Sequence, residues 1–383
     1  MAKINVRSPY FVQVGIVGLT SATLEMLIYT GVANTSWQGS PQYTLSTTGT
    51  TGKINFEISE LIRDYIPAAF DGVYPSVGGS STDRTTVYVD YKITGFVGTT
   101  AQTPIYAFGL RAFYGYGYFE DGSNPEFVQG YLQSNNVILK KDDAPIRIPV
   151  DNENTNSVAF FYQGQQVYSW LPSTGLNIQD QIIYVSNGVN GADSFEERVE
   201  LAGGTFEDNS CIDQFEEDFE LHPVDTVYVS AADGLTIIKV DNIEECKYTP
   251  YKVTFINKFG AYQDIWFFKR SNLSMTKKDE MFKSNLMGTA GSMGYATNRH
   301  QYSTFHVNAK ETLSLNTGFY PESYNEVFRQ MSLSDKIWIE YNEKTLPVRL
   351  TSSNLSFKTR LDDKLINYTI ELEFAFDKIN NVR

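Results

Sequence analysis

Between Leu365 and Phe376 nearly every second residue is apolar: Ile366, Tyr368, Ile370, Leu372, Phe374 and Phe376 alternate with Asn367, Thr369, Glu371 and Glu373. A period of two places one set on one face of an extended chain and the other set on the opposite face, the signature of a half-buried strand. The same reading applies to Lys53–Ser59, where Ile54, Phe56 and Ile58 oppose Lys53, Asn55, Glu57 and Ser59. In Thr86–Val97 it sets Val87, Val89, Tyr91 and Ile93 against Tyr88, Asp90, Lys92 and Thr94. Helical spacing is scarce. Ser59 is placed to cap a short helix with Leu61, Ile62, Tyr65 and Ile66 as its apolar stripe and Pro67 as its stop. A second helix is expected to begin with Pro321 in its first turn, because Tyr324, Val327, Phe328 and Met331 fall at i, i+3, i+4 and i+7. Thr276 and Asp279 have the spacing of a capping box for a single helical turn.

Polar and glycine-rich stretches punctuate the chain at Asp151–Ser157, Pro172–Gly175, Asn187–Ala192 and Gly288–Gly294. These divide it into a β-sandwich-like domain over 1–172, an acidic connecting region over 173–250 and a small α+β domain over 251–383. The expected fold class is mainly β. No segment repeats at a fixed period, which argues against a solenoid or propeller.

With 383 residues the chain is long enough to bury substantial cores without covalent staples. Its 25 Tyr and 25 Phe suit pleated, half-buried surfaces and need no ligand to explain them. A net charge of −14 argues against non-specific nucleic-acid binding, which depends on clustered cations. Most of that charge sits in one block. From Asp193 to Glu220 there are eleven carboxylates and one cation, Arg198, so the local charge is 1 − 11 = −10. Such a block reads first as a solvated, self-repelling surface. It also suits a wall that must not retain DNA phosphate, whereas its spacing matches no calcium-binding loop.

The two cysteines, Cys211 and Cys246, cannot form a disulfide framework and are expected to be reduced, in keeping with synthesis in a cytoplasm. Near the N terminus Tyr10–Leu19 is mostly apolar, but Gln13, Gly15 and Gly18 interrupt it, so it reads as neither a secretory leader nor a membrane span.

The usual catalytic signatures fail on spacing. Gly291-Ser292-Met293-Gly294 is not a nucleophile elbow, and the glycines of Gly288–Gly294 are not followed by the Lys-Ser/Thr of a phosphate loop. His300 and His306 lie too far apart for a zinc helix, and Asp151, Glu153 and Thr155 lack the glycine that a calcium loop needs next. No catalytic, cofactor-binding or metal-ligating residue is assigned. The aromatic run Phe108–Phe119 offers Phe113, Tyr114, Tyr116 and Tyr118 as a platform for sugar rings, or equally as a glycine-relieved strand whose rings pack on neighbours.

The order of segments over 251–383 carries a resemblance. Tyr251–Ile256 runs into the turn Asn257-Lys258-Phe259-Gly260 and a second strand at Asp264–Phe268. The Pro321 helix, Ser334–Ile339, Leu346–Val348, Ser356–Thr359 and Leu365–Ile370 follow. This third of the chain resembles the β-rich tail, baseplate and neck proteins of tailed bacteriophages, in the style of their distal-tail and collar components.

The resemblance implies a non-enzymatic virion protein, made in the host cytoplasm and present in several copies. It would bind copies of itself and other virion proteins, without specific DNA binding even where DNA passes through a lumen. The second reading is a carbohydrate- or receptor-binding module built on the Phe113–Tyr118 rings, and the third is a glycoside hydrolase.

Overall fold

In the computed structural model the protein is mainly β: of the described residues, 53% are strand and 7% helix. The structure describes residues 3–49, 52–74, 85–142, 144–172, 181–187, 223–286, 294, 297–352 and 365–379. The acidic block at 193–220, Cys211 and most of the 288–294 loop lie outside the described residues, as does the 356–359 segment.

Three sheets carry the architecture. The first runs in the order Lys3–Asn5, Ile105–Phe113, Thr86–Val97, Ser21–Tyr29, Tyr43–Thr48, and a two-residue strand, Thr100–Ala101, also pairs with Thr86–Val97. Lys3–Asn5 is parallel to its neighbour, with Lys3 opposite Arg111 and Asn5 opposite Phe113. The separate pair Phe11–Gly15 and Lys53–Glu57 contributes Val12, Val14, Ile54 and Phe56 to the same core as Leu24, Met26, Ile28 and Val89.

The second sheet draws strands from both sides of residue 172. Its order is Gln165–Trp170, Thr155–Tyr162, Thr226–Ala231, Gly234–Ile243, Val137–Lys141. The third has seven strands: Tyr262–Phe267, Tyr251–Ile256, Ile337–Tyr341, Lys344–Leu350, Thr369–Phe374, Tyr302–Asn316 and Asn272–Lys283. The helix Asn325–Leu333 supplies Val327, Phe328 and Met331 to the core that this sheet shares with Phe255, Phe267, Leu315 and Leu372.

The cores share walls. Strand Ile182–Ser186 is buried along its whole length: Ile182 and Tyr184 belong to the first core, Ile183 and Val185 to the second. A strand covered on both faces has no polar side to present, which is why it reads as a continuous apolar run rather than an alternation. Tyr251–Ile256 likewise sends Val253 and Phe255 into the third core and Ile256 into the first.

The alternating segments fold as their period requires, with local departures. Ile366, Tyr368, Ile370, Leu372 and Phe374 are buried, while Phe376 is exposed beyond the strand end. Between Thr86 and Asp90, however, the polar set is buried as well. Asp90 is fully enclosed and accepts hydrogen bonds from the Tyr29 hydroxyl, the Asn34 amide and the Gly109 N–H.

Three expectations at helix ends are corrected. Ser59 is the first residue of the helix Ser59–Arg63, not its cap. The Glu57 carboxylate takes that role by accepting from the Ser59 N–H at 2.9 Å and from its hydroxyl. Pro321 is extended and pairs in a short bridge with Leu365; a 3-10 turn at Glu322–Tyr324 precedes the α-helix. Thr276 and Asp279 cap nothing, because they lie in the middle of strand Asn272–Lys283, opposite Lys310 and Val307.

Candidate interaction surface

The Phe108–Phe119 run does not form an open platform. Phe113, Tyr114 and Tyr116 are buried, so their faces cannot stack on a sugar. The run instead connects the sheets. Arg111 reaches from the first sheet to Asp151 and Glu153, each at 2.5 Å, and Lys3 also pairs with Asp151. Burial alone would raise the Asp151 carboxyl, but the adjoining Arg111 and Lys3 hold it below the usual carboxylate range. Asp151 and Glu153, the two carboxylates of the loose calcium-loop match, are therefore committed to cations of the protein itself, while the Thr155 hydroxyl donates to the Gly130 carbonyl at 3.3 Å.

Further along the run, the Tyr114 hydroxyl donates to Asp335 Oδ2 at 2.7 Å, where Arg63 also pairs at 3.1 Å. The Tyr118 hydroxyl donates to Glu326 on the α-helix at 2.6 Å. Gly115 passes so close to other backbone that a Cβ there would sit 2.6 Å from both the Asn5 side-chain oxygen and the Lys258 carbonyl. The glycines that interrupt the aromatic run thus allow a close crossing of chain segments. Phe119, at the end of the run, is fully exposed.

The other chemistry-bearing residues do not converge. Among the described residues no three His, Cys, Asp or Glu side chains are placed to hold a metal ion. Cys246 is exposed, and His306 lies on a strand opposite Glu280. No helix among the described residues is long and apolar enough to cross a membrane.

The surface that stands out is the far edge of the seven-stranded sheet. Strand Tyr302–Asn316 pairs with Thr369–Phe374 only through Thr312–Asn316. Among the described residues, the last backbone–backbone bond on that side is the Lys378 N–H donating to the Ala309 carbonyl at 2.8 Å, and the Ile379 N–H donates to the Asn308 side chain at 3.2 Å. Beyond that point the ribbon of Tyr302–Asn308 and Lys278–Lys283 continues for about 20 Å, at ~3.3 Å per residue, held among the described residues by its own ladder and, at Asn308, by the Ile379 N–H. A bulge near its end makes Phe305 the extra residue, between Thr304 opposite Met281 and His306 opposite Glu280.

This ribbon exposes apolar side chains instead of burying them. Met281, Phe282, Tyr302 and Phe305 are 57%, 50%, 59% and 64% exposed, and the Phe282 and Phe305 rings lie 6.2 Å apart. A two-stranded ribbon in water gains little stability by itself, and clustered exposed aromatics mark a contact surface. Its strands read poorly in sequence because Asn272–Lys283 mixes charge and apolar residues without a buried face.

No protein-family model matches the chain, and no curated protein matches it.

Proposed function

We propose that this protein is a structural component of a tailed-phage virion, in the tail, baseplate or neck, that works through protein–protein assembly contacts. The observation that supports this reading is the projecting ribbon of Lys278–Lys283 and Tyr302–Asn308, which carries exposed aromatics on a scaffold with no core of its own. Such an arm is stable when a neighbour covers it, as it would be in a multi-copy particle. The acidic block, with its local charge of −10, suits a solvent-facing or lumenal wall past which DNA slides without binding.

Negative-stain imaging and light scattering of the purified chain at rising concentration test the reading. Rings, stacked rings or tubes, or a defined complex formed on adding other virion proteins, are the expected result. A chain that stays monomeric alone and with those proteins, while binding glycans on an array, overturns it in favour of a receptor-binding module.

A further inference from the structure

The outer edge of the arm is the strand Asn272–Lys283, which ends the seven-stranded sheet among the described residues. It is twelve residues long, and all of them but Asp279 are exposed. It contains no proline, and the bulge in the ribbon places its extra residue on the inner strand, not on this one. Half of its backbone N–H and C=O groups therefore point away from the sheet in a regular row, the template that an added strand requires.

Sheet edges are commonly guarded by charged side chains, lysines above all, which oppose an unmatched incoming strand. Here the charges are balanced and ordered as Lys277-Lys278-Asp279-Glu280. A parallel, in-register copy would set each charge against itself. An antiparallel copy related by a two-fold axis at Lys278 does the reverse. Lys277 then faces Asp279 of the second copy and Asp279 faces its Lys277, while Met275 and Met281 face each other on the same side of the sheet. On the opposite side the two Lys278 side chains meet at the axis, each diagonal to the other copy's Glu280. The diagonal spacing of ~7–8 Å is within reach of such long side chains. The charge order thus admits the antiparallel copy and rejects the parallel one.

We propose that this edge pairs antiparallel with the same edge of a second copy of the chain, centred on Lys278, to join two seven-stranded sheets into one. Lys277 and Asp279 already bridge within one chain at 3.0 Å, so both head groups lie on the same face and are positioned for the second copy's charges. The contact is isologous, so every pair off the axis occurs twice and every substitution counts twice. This inference does not rest on the virion reading.

Sedimentation of the full chain across a concentration series provides the test. A reversible dimer is expected. Lys277→Glu should weaken it about tenfold, because two attractive cross-strand pairs become repulsive. Asp279→Lys should do the same, and the double substitution should restore the dimer to within about threefold, since it rebuilds the pairs with the signs exchanged. In a Cys211→Ser, Cys246→Ser background, Lys278→Cys should oxidise to a covalent dimer, because directly opposite residues fall within disulfide range. Glu280→Cys, which faces Thr276 of the second copy, should not. A monomer at every concentration, a dimer indifferent to Lys277→Glu, or cross-linking at position 280 in place of 278 overturns the proposal. Rings that form with an intact arm but ignore these substitutions would overturn the edge pairing alone and leave the virion reading standing.

Discussion

Arg111 and Asp151 lie 40 positions apart in sequence and meet at 2.5 Å in the interior, where the Asp151 side chain has no solvent exposure. Lys3 pairs with the same carboxylate from the adjoining parallel strand, so one buried anion holds two cations. Removing one partner from such a cluster leaves unbalanced charge out of water, which costs far more than the net value of the intact cluster.

Asp151→Asn is expected to destabilise the fold by about 3–5 kcal/mol, since Lys3 remains buried without its counter-charge and Arg111 keeps only the partly exposed Glu153. Urea unfolding followed by tyrosine and tryptophan fluorescence measures this, and a loss under about 1 kcal/mol would show the cluster to be dispensable.

Stability should fall on the acid side. The carboxyls of Asp151 and Asp335 sit below their ordinary value of 3.8 in the folded chain; burial opposes this, but Arg111 and Lys3 act on the first, and the Tyr114 hydroxyl, Arg7 and Arg63 on the second. A carboxyl depressed by folding adds stability that is fully present above its unfolded value and is lost as the pH falls through the folded value. Melting temperature should therefore hold steady for these groups above about pH 5 and drop steeply below about pH 4, and Asp151→Asn should flatten that drop.

Gly115→Ala should cost about 1–3 kcal/mol, because the added methyl meets the Lys258 carbonyl and the Asn5 side chain at 2.6 Å and the backbone on one side cannot move away. Thermal unfolding checks this. An unchanged midpoint would mean that the crossing of these segments is looser than the geometry states.

Replacing Phe282 and Phe305 together with Ser should change unfolding stability by less than about 0.5 kcal/mol per site, because both rings are largely exposed. The same pair should reduce self-association measured by light scattering. Loss of folding with unchanged association would reassign these rings from contact surface to core.

How far sequence alone reaches differs between elements for physical reasons. The strand at Thr369–Phe374 and the helical stripe of Tyr324, Val327, Phe328 and Met331 follow directly from period, since each buries one face on one core. Ile182–Ser186 carries no such period because two cores cover it. The partners of Arg111 and Tyr114 depend on contacts across 40 and 221 positions, which no local pattern encodes. Thr276–Asp279 reads locally as the start of a helix, but twelve ladder positions with Tyr302–Asn316 override that preference. The sequence of the aromatic run admits either platform or packing, and burial of Phe113, Tyr114 and Tyr116 selects packing.

The parallel alignment of Lys3–Asn5 with Arg111–Phe113 also determines how the molecule bears mechanical load. Tension applied at residue 3 along the strand direction would strain its three ladder positions together, in shear, instead of opening them one at a time like a zipper. The Lys3–Asp151 bridge would be strained in the same instant, and through Asp151 so would the strand Arg147–Asp151 that carries it and pairs with Ile182–Ser186. A chain pulled at that strand would resist tension along it better than peeling across it.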